Sequence, residues 1–228
     1  MLEAFAPDRL EAALSRRESG EPLAHILGRT QFRGLELAIG PGVFVPRPRA
    51  EALLEVELGN PRRVLDLGCG CGALAAALKR LLPEAEVHAS DIDEGCLHFA
   101  RVNARRYGYQ VHCSDWLSEL PEPFELIVAY FPHVPEAERA GLDQDYLRAE
   151  GPRSVLGGMD GLDPLRAVLA DLKNHGRLLT LLQADQLAAA RELVRVVGGR
   201  LKECGGDEMD RVVEIVCRPA GRARTAPP

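Results

Sequence analysis

The chain has 228 residues, a formal net charge of −6 and 46% hydrophobic residues, which suits one domain with small additions. The negative balance argues against general binding to nucleic-acid phosphates, no apolar stretch is long enough to cross a bilayer, and residues 1–14 lack the pattern of a secretory signal. The six cysteines are too scattered for a disulfide framework, so a cytoplasmic protein is expected.

Residues 1–48 predict a short helix followed by an arm. The helix is expected over 8–18, where apolar residues recur on one face. Two apolar runs, 32–39 and 43–45, follow and are flanked by glycines and prolines. These runs predict a small β-hairpin. The rigid Pro46-Arg47-Pro48 leads into a further helix expected over 49–58.

Strands and helices alternate over a domain that is expected to cover residues 49–217. This alternation predicts an α/β fold with a mostly parallel sheet and helices on both faces. The last strand follows a glycine-rich turn, so it is expected to insert antiparallel at the sheet edge. Residues 218–228, rich in Pro, Arg and Ala, predict a disordered tail. The expected strands are 63–67, 86–90, 110–113, 124–129, 176–182 and 211–217, and the expected helices are 73–82, 94–107, 162–173 and 185–197.

A glycine-rich loop, Asp66-Leu67-Gly68-Cys69-Gly70-Cys71-Gly72, follows the first strand of this domain and precedes a helix. That layout is typical of a nucleoside-type cofactor site, and its spacing also fits a dinucleotide. However, Asp66 would repel a pyrophosphate, whereas S-adenosylmethionine carries an ammonium and a sulfonium that a carboxylate favours. The loop therefore predicts S-adenosylmethionine binding by Asp66, Leu67, Gly68, Cys69 and Gly70. Cys69 and Cys71 lack a second ligand pair, so no metal site is expected.

Residues after other strands complete the expected cofactor site. Asp91 ends the second strand, where a carboxylate accepts from ribose hydroxyls, and Ile92 lies beside it. Asp115 can accept from the adenine amino group, while the Trp116 indole packs on the ring. The alternatives are solvated acids and a core tryptophan. Arg47 is expected either to bind the carboxylate of the methionine moiety or to be an ordinary surface arginine.

Several segments occur in an order typical of one enzyme family. They are Glu21 to Gly28, Pro41 to Pro48, the glycine-rich loop, Ser114-Asp115-Trp116 and Gly157-Gly158-x-Asp160-Gly161-Leu162. Together they resemble the release-factor glutamine methyltransferases over most of residues 21–217. This resemblance implies a Rossmann-like class I methyltransferase fold with a seven-stranded sheet, S-adenosylmethionine as cofactor, and a release-factor-like protein as the substrate that is methylated on a glutamine nitrogen.

The acceptor loop departs from that family. It reads Tyr130-Phe131-Pro132-His133 where the family has Asn-Pro-Pro-Tyr, so only Pro132 is retained. In the family, the Asn oxygen and a backbone carbonyl accept the amide hydrogens of the substrate. Tyr130 cannot reproduce the Asn carbonyl, whereas the Phe131 carbonyl stays available. His133 is expected to stack on a flat substrate or act as a base, and an ordinary loop histidine is the alternative.

Several functions therefore stay open. The first is an active S-adenosylmethionine-dependent N-methyltransferase with altered specificity, which acts on a protein nitrogen or a small molecule. The second is an unaltered release-factor enzyme that tolerates the changed loop. The third is a catalytically lapsed S-adenosylmethionine-binding module with a regulatory role. A nicotinamide oxidoreductase is disfavoured by Asp66.

Overall fold

The computed structural model describes residues 7–120 and 123–217; the predicted tail over 218–228 lies outside them. In chain order the helices are α1 (Pro7–Glu18), α2 (Leu23–Leu27), α3 (Ala73–Leu81), α4 (Glu94–Tyr107), α5 (Gln144–Glu150), α6 (Asp163–Leu172) and α7 (Leu187–Val196). The strands are β1 (Arg29–Phe32), β2 (Leu35–Ala38), β3 (Arg63–Leu67), β4 (Glu86–Asp91), β5 (Gln110–Cys113), β6 (Leu126–Ala129), β7 (Arg177–Gln183), β8 (Gly199–Gly206) and β9 (Asp210–Cys217). Short 3-10 helices cover Pro48–Leu54, Glu136–Gly141, Pro152–Ser154 and Ala184–Gln186.

The large sheet has seven strands in the order β5-β4-β3-β6-β7-β9-β8. The first five are parallel, and β9 pairs antiparallel with both β7 and β8. Side chains alternate between two cores, because successive strand residues point to opposite faces. Val64 faces α3, α4 and the hairpin, whereas Leu65 faces α6 and α7. The predicted α/β fold with helices on both faces is confirmed.

The position predicted for the last strand is wrong. The strand is antiparallel as expected, but β9 lies inside the sheet and β8 forms the edge. The pattern of β8 is mostly exposed, with Arg200, Lys202 and Glu203 on the surface. The sequence of β8 therefore lacks the alternation of apolar and polar residues that predicts a strand. A register shift between Glu203 and Gly205 also interrupts the pairing of β8 with β9.

The hairpin lies earlier in the chain than predicted. β1 and β2 pair with Phe32 opposite Leu35, which leaves Arg33 and Gly34 as a two-residue turn. Their φ angles of 45° and 73° are both positive, as the favoured type I′ hairpin turn requires. The second apolar run, 43–45, contains no strand. The hairpin and Val43 share one core with α3 and α4.

The helix predicted over 49–58 is a 3-10 helix over Pro48–Leu54. Its buried residues Ala50, Leu53 and Leu54 recur at spacings of three and four, which both helix types satisfy. No described helix is both long and apolar enough to span a membrane.

The sheet topology creates a crevice at its carboxyl edge. The chain leaves β3 towards β4 on one side, while β6 pairs with β3 on the other. In open α/β sheets, ligands bind where the strand order reverses in this way. The loops after β3, β4, β5 and β6 all meet there.

Candidate active site

A cavity of about 770 Å³ opens at this edge of the sheet, a size typical of small-molecule sites. The arm contributes Phe44 and Pro46 to one wall, and the segment 150–158 contributes to another. All the residues predicted for the site line this cavity except Arg47 and His133. Those that do are Asp66, Leu67, Gly68, Cys69, Gly70, Asp91, Ile92, Asp115, Trp116, Tyr130, Phe131 and Pro132.

The glycine-rich loop turns sharply over the end of β3. Gly68 and Gly70 have φ angles of 71° and 55°, in the region that favours glycine. The N–H groups of Gly68 and Cys69 donate to the Ser90 carbonyl at 2.8 and 2.9 Å. A Cβ on either glycine would meet no protein atom within 4 Å. The loop is therefore fixed to β4 and leaves space for a ligand above its backbone.

Asp66 lies beneath this loop and is only 1% exposed. Its Oδ2 accepts the Ala75 N–H at 2.8 Å, one of the first-turn donors of α3 that have no partner within the helix. Burial raises the pKa of Asp66 to about 7; the bond from Ala75 opposes this shift and the charge of Asp91 adds to it. A cationic ligand group nearby would favour the ionised carboxylate.

Asp91 is fixed at the cavity wall by two backbone donors. Its Oδ2 accepts the Gly70 N–H at 2.9 Å and its Oδ1 accepts the Asp93 N–H at 3.0 Å. Both oxygens keep acceptor capacity for ligand hydroxyls. Burial raises the pKa of Asp91. The preceding Ser90 also lines the cavity, and its buried hydroxyl has no hydrogen-bond partner; sequence reasoning missed it, although it directly precedes Asp91.

Trp116 forms a fixed aromatic wall. Its φ of 52° is rare for a residue with a side chain, and Ser114 Oγ donates to its carbonyl at 3.0 Å. The indole meets Phe131 edge-on, with ring centroids 5.5 Å apart. Asp115 is exposed at the rim. Backbone outliers of this kind cluster at ligand sites.

The cysteines of the cavity do not supply a nucleophile. Burial raises the pKa of Cys69 well above its usual range and that of Cys71 to about 12. Cys96 also lines the cavity, and burial raises the pKa of its thiol as well. All three thiols therefore stay protonated at neutral pH, and the thiolate is the reactive form. Within residues 7–120 and 123–217, no three His, Cys, Asp or Glu side chains are placed to hold a metal ion.

The acceptor loop closes the far end of the cavity with aromatic groups. Tyr130 lies 6.0 Å from the Phe44 ring and 5.4 Å from the His133 ring, measured between centroids. Burial raises the pKa of Tyr130 to about 12, against the opposing charge of Arg49. Arg49 itself pairs with the buried Asp210 at 3.3 Å. The Tyr130 phenol is therefore protonated at neutral pH and is enclosed by neighbouring side chains.

His133 turns back onto its own loop instead of lining the cavity. The ring is 7% exposed, and its Nδ1 lies 2.9 Å from the Phe131 carbonyl oxygen. Burial lowers the pKa of His133, so the ring is neutral and its Nδ1–H donates in this contact. The Phe131 carbonyl, which was expected to be available to a substrate, accepts this bond and so has only one of its two acceptor positions left. Stacking on a substrate or action as a base would require His133 to move.

Arg47 also differs from its predicted place. Its Nη2 donates to both carboxylate oxygens of Glu150, at 2.8 and 2.6 Å, and its guanidinium lies 4.7 Å from the Phe44 ring centre. Arg47 is therefore committed to Glu150 and does not face the cavity. Glu150 was missed because the two residues are 103 positions apart in the sequence.

The comparisons with known proteins agree with this geometry. The family described as methyltransferase small domain matches residues 40–145. A release factor glutamine methyltransferase of Gloeobacter violaceus is 41% identical over 78% of this chain and 66% of its own length. Another from Moorella thermoacetica is 34% identical over 87% of this chain and 75% of its own length. The chain belongs to the release factor glutamine methyltransferase family.

The match to this family is partial in length. The chain spans from about half to three quarters of the curated relatives it matches. Among solved structures, a methyltransferase from Pyrococcus furiosus covers 90% of this chain and 96% of its own, with 15% identity and a TM-score of 0.61. At that identity the likeness shows the fold, which is Rossmann-like.

Membership of this family makes S-adenosylmethionine the cofactor, and the cavity has the features that such a ligand requires. The open space above Gly68 and Gly70 admits a ligand close to the backbone. The Asp91 carboxylate and the unpartnered Ser90 hydroxyl lie at the cavity wall. The buried Asp66 suits a ligand that carries positive charge rather than a pyrophosphate.

Proposed function

We propose that this chain is an S-adenosylmethionine-dependent N-methyltransferase whose acceptor is not a glutamine amide. The observation that carries the proposal is the contrast between the two ends of one cavity. The cofactor end presents the glycine-rich loop, Asp66 and Asp91. The acceptor end presents the Tyr130 phenol and a Phe131 carbonyl that already accepts a bond from His133.

When bound, the cofactor would supply a methyl group on a sulfonium: an acceptor nitrogen would bond to the methyl carbon as the carbon–sulfur bond breaks in line, with the thioether S-adenosylhomocysteine leaving and a proton lost from the nitrogen. The protein contributes chiefly by position, because alignment of the reacting atoms lowers the barrier. Asp91 would hold the ribose, Asp66 would compensate the positive charge, and Trp116 and Asp115 would enclose the adenine. Leu67, Cys69 and Ile92 would complete this wall. Tyr130 and Phe131 would enclose the acceptor, with Pro132 shaping their loop.

A primary amide needs fixed acceptors for both of its hydrogens, because its nitrogen lone pair is delocalised. Here the Tyr130 oxygen lies beside Arg49, and the Phe131 carbonyl is shared with His133. Such a site suits a nitrogen on an aromatic or apolar group better than an amide. We therefore propose an acceptor that is either a protein side chain other than glutamine or a small molecule.

The test has two parts. Isothermal titration with S-adenosylhomocysteine should show saturable binding. Transfer of labelled methyl from S-adenosylmethionine should then occur into a cell extract but not into a release factor that carries a Gly-Gly-Gln loop. Robust methylation of that loop would overturn the altered specificity. Binding without transfer to any acceptor would favour a lapsed cofactor-binding module instead.

The cellular compartment is proposed from the state of the cysteine side chains. All six cysteines are unpaired, as expected in a reducing compartment. We therefore propose a cytoplasmic protein whose partner is its methyl acceptor.

A further inference from the structure

Glu150, the last residue of the short helix α5, is a buried carboxylate that accepts several hydrogen bonds. It is 1% exposed and lines the cavity. It accepts two bonds from Arg47, at 2.8 and 2.6 Å, and one from the Val45 N–H at 3.3 Å. Hydrogen bonds between ionised partners are shorter and stronger than those between neutral groups. The carboxylate therefore joins α5 to the arm.

Further contacts of the arm lie on either side of this pair. The Gly42 N–H donates to the Ala149 carbonyl at 2.9 Å. The Arg47 guanidinium lies between two rings, 4.7 Å from the Phe44 centre and 5.5 Å from the Tyr146 centre. Residues 42–47, called the strap below, are thus held against the carboxyl end of α5.

The strap and the carboxyl end of α5 both line the cavity. Gly42, Phe44 and Pro46 of the strap are among its lining residues, and so is Glu150. Phe44 in turn contacts Tyr130, with ring centroids 6.0 Å apart. The position of Glu150 therefore sets where the strap lies relative to both ends of the cavity.

We propose that Glu150 is a positioning residue that holds the strap closed through Arg47 and Val45, so that the cofactor meets a preformed site. The proposal rests on the proposed function only in taking S-adenosylmethionine or its product as the ligand. A strap that is closed in only a fraction of molecules weakens apparent binding by that fraction. Loss of the pair should therefore weaken binding even when the substitution is made at Arg47, which does not line the cavity.

The first experiment is a double-mutant cycle read by isothermal titration with S-adenosylhomocysteine. E150Q keeps the shape of the side chain and R47Q removes the partner. Each should raise the Kd about tenfold, as for a strap closed in roughly a tenth of molecules. The double variant should bind no more weakly than either single one, because both substitutions break the same pair. Unchanged binding by E150Q overturns the proposal. So does weakened binding by E150Q alone, which would indicate direct contact with the ligand.

The second experiment is amide hydrogen exchange on the ligand-free protein, which does not depend on the proposed function. The Val45 N–H should exchange at least tenfold faster in E150A, which removes both acceptor oxygens, than in the wild-type protein. E192A is the control, because Glu192 also accepts two hydrogen bonds from an arginine, Arg195, but on the exposed face of α7. E192A should leave Kd and exchange unchanged. If the wild-type chain binds no S-adenosylhomocysteine, the proposed function fails, and the exchange of Val45 alone decides this inference.

Discussion

Asp66 combines deep burial with a role at the start of a helix. Its carboxylate holds the Ala75 N–H, yet the same burial raises its pKa to about 7. The folded state therefore binds a proton more tightly than the unfolded chain does. The ligand-free protein carries an electrostatic cost that a positively charged ligand would relieve.

The first prediction concerns pH and stability. Folding raises the pKa of Asp66, so protonation of this carboxyl stabilises the folded state. This stabilisation is complete at pH values below the pKa of the unfolded chain, and it is lost as the pH rises from about 4 to 7. D66N, which still accepts from Ala75, should remove this loss and be more stable than wild type at pH 8 by a few kcal/mol, on the order of 1.4 per pKa unit. Urea unfolding of both proteins at pH 5 and pH 8 measures the difference.

The wild-type protein alone does not suffice for this test, because its buried histidines change the free energy of unfolding with pH in the opposite direction to Asp66. Burial lowers the pKa of His25, His88 and His133, so their contribution is lost as pH falls. These contributions cancel between the two proteins. A wild-type to D66N difference that is the same at both pH values would contradict the prediction.

The second prediction concerns Tyr130. Y130N should abolish methyl transfer to the acceptors found in cell extract. The Kd for S-adenosylhomocysteine should change less than threefold, because Asp66 and Asp91, the residues proposed to hold the cofactor, line another part of the cavity. Labelled transfer and calorimetry measure the two effects. Y107F, which removes a remote bond to the Glu36 carbonyl, is the control. An equal loss of cofactor binding in Y130N would place Tyr130 in the cofactor site instead.

At the scale of elements, Asn103 of α4 connects the hairpin to the cofactor loop. Its Oδ1 accepts the Ala38 N–H at 2.8 Å, and its Nδ2 donates to the Ala38 and Cys71 carbonyls at 2.9 Å each. The side chain is 2% exposed. A single amide therefore joins β2, α4 and the glycine-rich loop.

The third prediction follows from this connection. N103A removes the side-chain partner of the Ala38 N–H, the Ala38 carbonyl and the buried Cys71 carbonyl, and a buried polar group without a partner costs about 1–3 kcal/mol. We expect a loss of at least about 2 kcal/mol in the free energy of unfolding and weaker binding of S-adenosylhomocysteine. Urea unfolding and calorimetry test both. N174A, at an exposed position after α6, should change neither; a similar loss there would point to a general effect of substitution.

The sequence predicts best those elements whose pattern is local. The strand 63–67 and the helix 94–107 have the expected bounds, because apolar runs and the Asp93 cap mark them. β8 was missed because pairing with β9, rather than its own side chains, makes it a strand. α5 was missed because it is short and buries only Leu147 and Glu150.

The same limit applies to the site. The glycine-rich loop, Asp91 and Trp116 follow strand ends, and strand ends can be recognised from the sequence. The Arg47–Glu150 pair joins residues 103 positions apart, and the bond of His133 to Phe131 depends on how one loop folds back. Nothing in the local pattern signals either contact.

At the scale of the whole molecule, ligand binding should stabilise the fold. The cavity contacts the arm, the sheet and the segment 150–158, so a ligand there holds separate parts of the chain together. S-adenosylhomocysteine at a hundredfold excess over its Kd should stabilise the protein by about 2.7 kcal/mol, measured as a rise in Tm.

NAD serves as the contrast, because its pyrophosphate would lie beside Asp66. We expect no shift with NAD at millimolar concentration. A shift with NAD and none with S-adenosylhomocysteine would reverse the assignment of the cofactor.

One of the two outer strands of the large sheet, β8, has a consequence for how copies of this chain meet. An open strand edge can template the addition of a strand from another molecule, which leads to aggregation. β8 opposes this with exposed Arg200, Lys202 and Glu203 and with the register shift before Gly205. Its irregular, charged edge disfavours the addition of a strand from another copy at β8.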